Sequence, residues 1–220
     1  MFQGFHQDGW QFLIELQHNN NREWFESQKD RFKNQLETPA KAFMDSMIGA
    51  MAPEFGALMG KVFRIYRDVR FSKDKTPYNT HVRIAFSTAE EKGHCGLNPA
   101  YFFSLEPEKL VLGAGIFEFE KPALTAYRQA MLSASGKDLE TAAQQLSNHA
   151  IHFHDPELKR VPAGFEADHP RADWLRRKGL SCWWEAPVPE AIFTDQATAF
   201  CLAKYRQMKP VSDWLCRLPV

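Results

Sequence analysis

Residues 61–86, KVFRIYRDVRFSKDKTPYNTHVRIAF, decide the fold, because strand periodicity, positive charge and a turn signal coincide there. Apolar and polar side chains alternate before and after a charged segment that contains Pro77, and proline biases the residue before it to extended backbone. The pattern therefore predicts two strands joined by a basic loop. One face of the first strand is predicted to be buried, and it carries Phe63, Ile65, Val69 and Phe71.

The first strand also carries three arginines spaced by three, Arg64, Arg67 and Arg70. Strand alternation places Arg67 on the apolar face, where a lone guanidinium is costly to desolvate, so Arg67 needs a carboxylate or a ligand oxyanion beside it. If the chain instead leaves strand geometry near Tyr66, a turn or helical stretch would bring the three guanidinium groups together. The sequence leaves both backbones open.

Positive charge is concentrated in this stretch. Lys61 to Arg83 contains seven Lys or Arg and two Asp, a local charge of +5, whereas the whole chain has 27 basic and 27 acidic residues. Guanidinium forks suit phosphate and carboxylate oxygens, so the stretch predicts a site for a small anionic ligand, phosphorylated or carboxylated. The candidate ligand-binding residues are Arg64, Arg67, Asp68, Arg70, Lys73, Asp74, Lys75, Tyr78, His81 and Arg83.

Within this set, Asp68 would orient an arginine, and Tyr78 and His81 would supply neutral hydrogen-bond donors. His81 is the nearby group whose ordinary pKa suits proton transfer at neutral pH. The sequence indicates no nucleophile, so the catalytic residues are unknown and the question of an enzyme stays open. No cofactor is predicted.

Two other interpretations of the same residues remain. In one, the surface belongs to a non-enzymatic module that binds a nucleic-acid backbone or an acidic protein; neutral net charge does not favour a general nucleic-acid coat but allows a local contact. In the other, the arginines pair with Asp68, Asp74 and acids elsewhere in a purely structural ion-pair network.

The run Arg64-x-x-Arg67-Asp68-x-Arg70-Phe71, followed by Asp74-Lys75 and Tyr78, resembles the signature of an uncharacterised, mainly bacterial family named domain of unknown function 2461. The resemblance spans nearly the whole chain and implies one α+β domain with no established activity, cofactor or catalytic residues. Supporting segments are Asn20-Asn21-Arg22-Glu23-Trp24-Phe25, Gly113 to Gly115 with Pro122, Leu158-Lys159-Arg160-x-Pro162-x-Gly164-Phe165, Asp168-His169-Pro170 and Trp174-Leu175-Arg176.

The predicted architecture is a single α+β domain over residues 1–220, with a mostly antiparallel sheet covered by N-terminal and C-terminal helices. Residues 1–58 are predicted helical, 61–117 form the sheet core, and 120–220 are helix and loop with an edge strand at 180–184. Asn20 with Glu23 three residues later predicts a helix cap. Gly113 and Gly115 indicate a bulge or a close approach of another backbone or ligand.

Other features of the sequence limit the class of protein. No stretch approaches the length of a membrane span, the N-terminus lacks a secretory pattern, and four scattered cysteines predict free thiols, so we expect a cytoplasmic protein without a membrane partner. His149, His152 and His154 have a spacing that resembles metal ligands, but Pro156 signals a loop and no metal site is predicted. The oligomeric state cannot be read from the sequence.

Overall fold

The structure is a computed structural model that describes residues 2–88 and 97–220. The strands in these residues are β1 (Leu58–Val62), β2 (Val82–Thr88), β3 (Ala100–Leu105), β4 (Leu110–Ile116), β5 (Ile151–Phe153) and β6 (Leu180–Ala186). They form one antiparallel sheet in the order β1-β2-β3-β4-β6-β5. β1 is therefore an edge strand.

Helices precede and follow the first four strands. They are α1 (Gln7–His18), α2 (Arg22–Ser27), α3 (Lys29–Phe32), α4 (Thr38–Phe55), α5 (Lys121–Met131), α6 (Ala134–Ser147), α7 (Ala172–Leu175) and α8 (Ala197–Cys216). A π-helical segment, Lys33–Glu37, joins α3 to α4, and Glu190–Phe193 forms a 3-10 helix. The predicted α+β class with an antiparallel sheet is confirmed.

The described residues cluster into two compact units. The first takes its residues from Met1–Phe86, Phe102–Leu112 and Glu185–Ala203, and the second from Ser87–Tyr101, Gly113–Trp184 and Lys204–Val220. The assignment of residues 1–220 to one domain stays a prediction.

In the first unit, aromatic side chains and one glycine hold α4 to the sheet. The ring centroid of Phe43 on α4 lies 4.7 Å from that of Phe103 on β3. A Cβ on Gly60 of β1 would meet the side chain of Met44 at 2.4 Å, so this face of β1 is closed by α4. Met59 and Lys61 alternate to the opposite face of β1 and are exposed.

In the second unit, two glycines of β4 allow close packing. A Cβ on Gly113 would lie 2.5 Å from the ring of Trp183, and one on Gly115 would lie 2.1 Å from the carbonyl oxygen of Leu180. Gly115 also has a φ of +129°, which L side chains rarely adopt. The predicted close approach of another backbone is therefore confirmed, and the backbone is that of β6.

Two sequence predictions about the sheet are corrected. Besides the predicted strand at 180–184, which is present as β6, the sheet contains β5, in a segment that was predicted to be helix and loop. β6 pairs with β5 on its outer side, with Ile151 opposite Trp184, so the strand predicted at the edge is an interior one.

The cysteines also differ from the prediction. Cys182 and Cys201 are buried free thiols, and burial raises both pKa values. Cys216 is disulfide-bonded, so the predicted free thiol is wrong there, and Cys95 lies outside the described residues. Among the described helices, none is both long enough and apolar enough to cross a bilayer.

Candidate functional site

Nine of the ten predicted site residues lie on the β1–β2 connection, residues 63–81, and the tenth, Arg83, lies on β2. The chain leaves the sheet after Val62 and returns at Val82, and between them the two arms share one isolated antiparallel bridge, Tyr66 with Tyr78. This bridge consists of two backbone hydrogen bonds, from Arg67 N to Pro77 O at 2.9 Å and from Asn79 N to Ile65 O at 2.7 Å. The continuous strand predicted through residue 71 is therefore not formed.

Of the four side chains on the predicted buried face, Ile65 is the one that is buried. Ile65 is 6% exposed, but Phe63 is 46% exposed and Phe71 is 96% exposed. The physical reason is that β1 ends at Val62 and the chain then leaves the sheet, so alternation beyond that point no longer separates a core face from a solvent face.

The second arm is anchored on the N-terminal helices. The Asn20 side chain donates to Tyr78 O at 2.9 Å and accepts from Tyr78 N at 3.1 Å. The Tyr78 ring stacks on Phe25 of α2, with centroids 4.0 Å apart and an interplanar angle of 14°. Tyr78 is consequently buried, and this burial raises the pKa of its hydroxyl. Tyr78 thus serves as an anchor of the arm.

Arg67 closes the loop at the tip of the connection. Its Nη1 donates to Asp74 Oδ2 at 2.6 Å, to Thr76 O at 3.1 Å and to the Thr76 hydroxyl. The carboxylate that the sequence required for Arg67 is therefore Asp74. The backbone N–H of Thr76, followed by Arg67, lowers the pKa of Asp74 to about 2, which keeps this carboxylate charged at neutral pH.

Arg70 is also satisfied by an acid of its own segment. Its Nη2 lies 2.7 Å from Asp68 Oδ2, and its Nε donates to Asp68 Oδ1 at 3.0 Å. These bonds to the Arg70 side chain and backbone, with the nearby charge of Arg64, lower the pKa of Asp68. Arg67 and Arg70 therefore hold different carboxylates, and the ion pairs that the structural interpretation required are present for both.

The remaining cations have no such partner. In the residues that the structure describes, no carboxylate pairs with five of the seven basic side chains between residues 61 and 83. Lys75 Nζ donates to the carbonyl oxygen of Val69 at 2.9 Å, which leaves its charge uncompensated. Because both aspartates of the segment are used by Arg67 and Arg70, the local charge of +5 rests on Lys61, Arg64, Lys73, Lys75 and Arg83.

His81 lies among these cations. Burial, followed by the charges of Arg83 and Arg67, lowers the pKa of His81 to about 4. The imidazole is therefore neutral at pH 7, as its predicted role of uncharged hydrogen-bond donor requires. Its pKa is too low for the proton transfer at neutral pH that its ordinary value suggested.

Three aromatic residues of the segment lie at the surface, and two of them, Phe63 and Phe71, were predicted from the sequence to be buried. Phe63, Tyr66 and Phe71 are all exposed by about half or more, and cations lie beside two of these rings. The signal available in the sequence was their alternation with Lys and Arg. We call the three exposed rings and the five cations without a carboxylate partner the basic-aromatic surface. Its residues are Lys61, Phe63, Arg64, Tyr66, Phe71, Lys73, Lys75 and Arg83.

The histidines considered as metal ligands do not form a metal-binding group. His152 lies on β5 and His154 directly follows this strand. Within residues 2–88 and 97–220, no three His, Cys, Asp or Glu side chains are placed to share an ion.

Comparison with known proteins identifies the family. A family model described as "Conserved hypothetical protein (DUF2461)" matches residues 8–214, which include the whole β1–β2 connection. No curated protein matches the chain. The match covers far more than half of the sequence, so this chain belongs to the DUF2461 family of conserved hypothetical proteins.

Proposed function

We propose that this protein binds the phosphate backbone of a nucleic acid through the basic-aromatic surface. The observation that carries the proposal is the division of the cations into two classes. Arg67 and Arg70 are paired with Asp74 and Asp68, whereas the five cations of the surface have no carboxylate partner among the described residues.

Unpaired, exposed cations favour an extended polyanion over a small ligand. One exposed cation gains little from one small anion, because water and salt screen the pair. A nucleic-acid backbone contacts several cations at once and releases a counterion at each, so the free energies accumulate. Five unpaired cations on a short segment suit this mode of binding.

A clamp around a small anion has less support. Arg67 and Arg70, two of its three arginines, already donate to internal acceptors. Small-molecule sites are usually concave and enclose most of the ligand. Three clefts within the described residues, near Pro122, Asp138 and Thr125, are lined by none of the residues from Lys61 to Arg83.

The test is fluorescence anisotropy with a labelled 20-nucleotide strand at 50 mM and 200 mM NaCl. A triple variant, Arg64→Ala, Lys73→Ala and Lys75→Ala, removes three unpaired cations of the surface. A control triple variant removes three exposed lysines elsewhere that have no acidic partner in residues 2–88 and 97–220, and it carries the changes Lys121→Ala, Lys137→Ala and Lys159→Ala.

We expect the surface variant to lose affinity by about tenfold or more at 50 mM NaCl, and the control variant by less than about threefold. Wild-type affinity should fall steeply between the two salt concentrations. Equal losses in the two variants would refute the proposal, because general charge and not this surface would then determine binding.

A further inference from the structure

Exposed apolar side chains are concentrated on the segment that carries the unpaired cations. Met59, Phe63, Tyr66 and Phe71 are 53%, 46%, 47% and 96% exposed. Elsewhere in the described residues, the large hydrophobic side chains with comparable exposure are Phe117, Leu132 and Val220, which are scattered along the chain. The clustering of aromatic rings at one cationic segment therefore needs an explanation.

Folding does not supply this explanation. The connection is anchored by Tyr78 and Ile65, which are 3% and 6% exposed. Phe71 is almost fully in water, so its ring contributes nothing to the core, and a polar residue there would cost no burial. An aromatic ring held in solvent beside charges is typical of a binding surface.

The exposed rings also have cations close to them. Lys61 Nζ lies 5.3 Å from the centroid of the Phe63 ring, and Arg70 Cζ lies 5.9 Å from that of Phe71. Tyr66 lies between Phe63 and Phe71 in the chain, and its ring contacts that of the anchored Tyr78 at a centroid distance of 5.4 Å. A ring next to an unpaired cation, as Phe63 is to Lys61, offers a stacking face for a base and a charge for the adjoining phosphate. Arg70 is paired with Asp68, so the unpaired charges that follow Phe71 in the chain are those of Lys73 and Lys75.

We propose that the partner is single-stranded nucleic acid, with bases stacked on Phe71, Tyr66 and Phe63 while phosphates contact the neighbouring cations. This inference rests on the proposed function, since it specifies the strand state of the same ligand. A duplex hides its base faces and would use only the cations, whereas a single strand presents both a π face and a phosphate at each nucleotide.

An anionic membrane is the other partner that cations and aromatic rings can suit, and the arrangement fits it less well. Membrane-binding faces gather their apolar side chains on one continuous face. Here charged residues separate Phe63, Tyr66 and Phe71 in the chain, and the exposed rings carry cations at their sides.

The experiment measures binding of the full chain to labelled dT20 and to a 20-base-pair duplex at the same salt concentration. Three substitutions at one residue separate stacking from hydrophobicity: Phe71→Ala removes the ring, Phe71→Leu keeps an apolar side chain without a π face, and Phe71→Trp keeps a stacking face. Phe117→Ala is the control, because Phe117 is 57% exposed and lies outside the basic-aromatic surface. Circular dichroism confirms that each variant is folded.

We expect dT20 to bind about tenfold more tightly than the duplex, and Phe71→Ala and Phe71→Leu each to weaken dT20 binding by about tenfold. Phe71→Trp should keep wild-type affinity, and duplex binding should be the same in all variants. Phe117→Ala should bind dT20 as the wild type does.

Other outcomes separate this inference from the proposed function. Equal affinity for dT20 and duplex, with no effect of Phe71→Ala, would overturn the single-strand inference while leaving the phosphate-backbone proposal in place. Loss of sensitivity to the Arg64, Lys73 and Lys75 substitutions would overturn both. Binding to phosphatidylglycerol vesicles that survives Phe71→Leu but not Phe71→Ala, without binding of dT20, would assign the surface to a membrane.

Discussion

At the scale of single residues, the guanidinium of Arg67 is turned into its own loop, whereas that of Arg64, three positions earlier, has no acidic partner among the described residues. The Arg67 side chain is 24% exposed and uses Nη1 to join Asp74 to Thr76. When a partly buried cation is removed, the acceptors that it bonded lose their donor. This loss lowers the free energy of unfolding by more than the loss of an exposed ion pair does. Arg67 and Arg64 should therefore respond differently to substitution.

Arg67→Ala is expected to lower the free energy of unfolding by about 1–2 kcal/mol, because Asp74 and Thr76 lose a shared donor. Arg64→Ala should change it by less than about 0.5 kcal/mol, as is usual for exposed positions. Urea denaturation followed by circular dichroism measures both. The opposite order of the two effects would show that Arg67 is not the residue that holds the loop.

His81 provides a pH-dependent prediction. Its pKa in the folded state is lowered to about 4, against an ordinary value of 6.5, so the unfolded chain binds the proton more readily between these pH values. The stabilising contribution of neutral His81 is therefore complete above about pH 6.5 and is lost as the pH falls towards 4.

His81→Gln should flatten the dependence of unfolding free energy on pH between about 6.5 and 4, because the glutamine side chain does not titrate. Denaturant unfolding at half-unit pH steps measures the slope. An unchanged slope in His81→Gln would mean that other groups cause the acid sensitivity.

At the scale of elements, the β1–β2 connection combines a small number of fixed points with long exposed stretches. One bridge of two backbone hydrogen bonds joins its arms, and Asn20 with Phe25 attaches one arm to the helices. This arrangement holds the backbone in place without burying the aromatic side chains of the first arm.

The sequence revealed this element only partly, for identifiable physical reasons. Strand alternation, which placed Arg67 on the apolar face, predicted a partner for its guanidinium, and charge density located the basic segment. Alternation predicted a strand through residue 71, because apolar spacing cannot distinguish a buried face from rings displayed in solvent. The cap was displaced by one residue: Asn21 accepts from Trp24 N at 3.0 Å, which frees Asn20 to bind Tyr78, a contact 58 residues away in sequence.

Asn20→Ala is expected to loosen the second arm, because Tyr78 N and Tyr78 O lose their shared partner. Amide hydrogen exchange should become at least tenfold faster around Tyr78 and Asn79 while α4 stays protected. Asn21→Ala, which removes the cap of α2 instead, is the matched control and should affect α2 first. Equal exchange in the two variants would argue against a specific anchor.

At the scale of the whole molecule, charge is separated although the total is zero. The segment from Lys61 to Arg83 carries +5, so the remaining residues together carry −5.

Fold class followed from the sequence because helix caps and strand patterns are local, whereas the sheet order did not. β5 has three residues and β6 pairs with β5 across a long connection, and neither property is encoded in a short window.

This separation of charge gives a quantitative prediction for salt dependence. If all five unpaired cations contact phosphates of a single strand, the logarithm of the association constant should fall with the logarithm of salt concentration with a slope of about −3.5. Each single substitution, Lys73→Ala for example, should make the slope less steep by about 0.7, because one fewer counterion is released. Arg70→Ala should leave more free charge on Asp68 and therefore weaken binding, since Asp68 would then oppose the phosphates. Lys159→Ala, outside the surface, should leave the slope unchanged. Anisotropy titrations from 50 to 300 mM NaCl measure these slopes, and a Lys73→Ala slope equal to that of the wild type would place the phosphate contacts elsewhere on the protein.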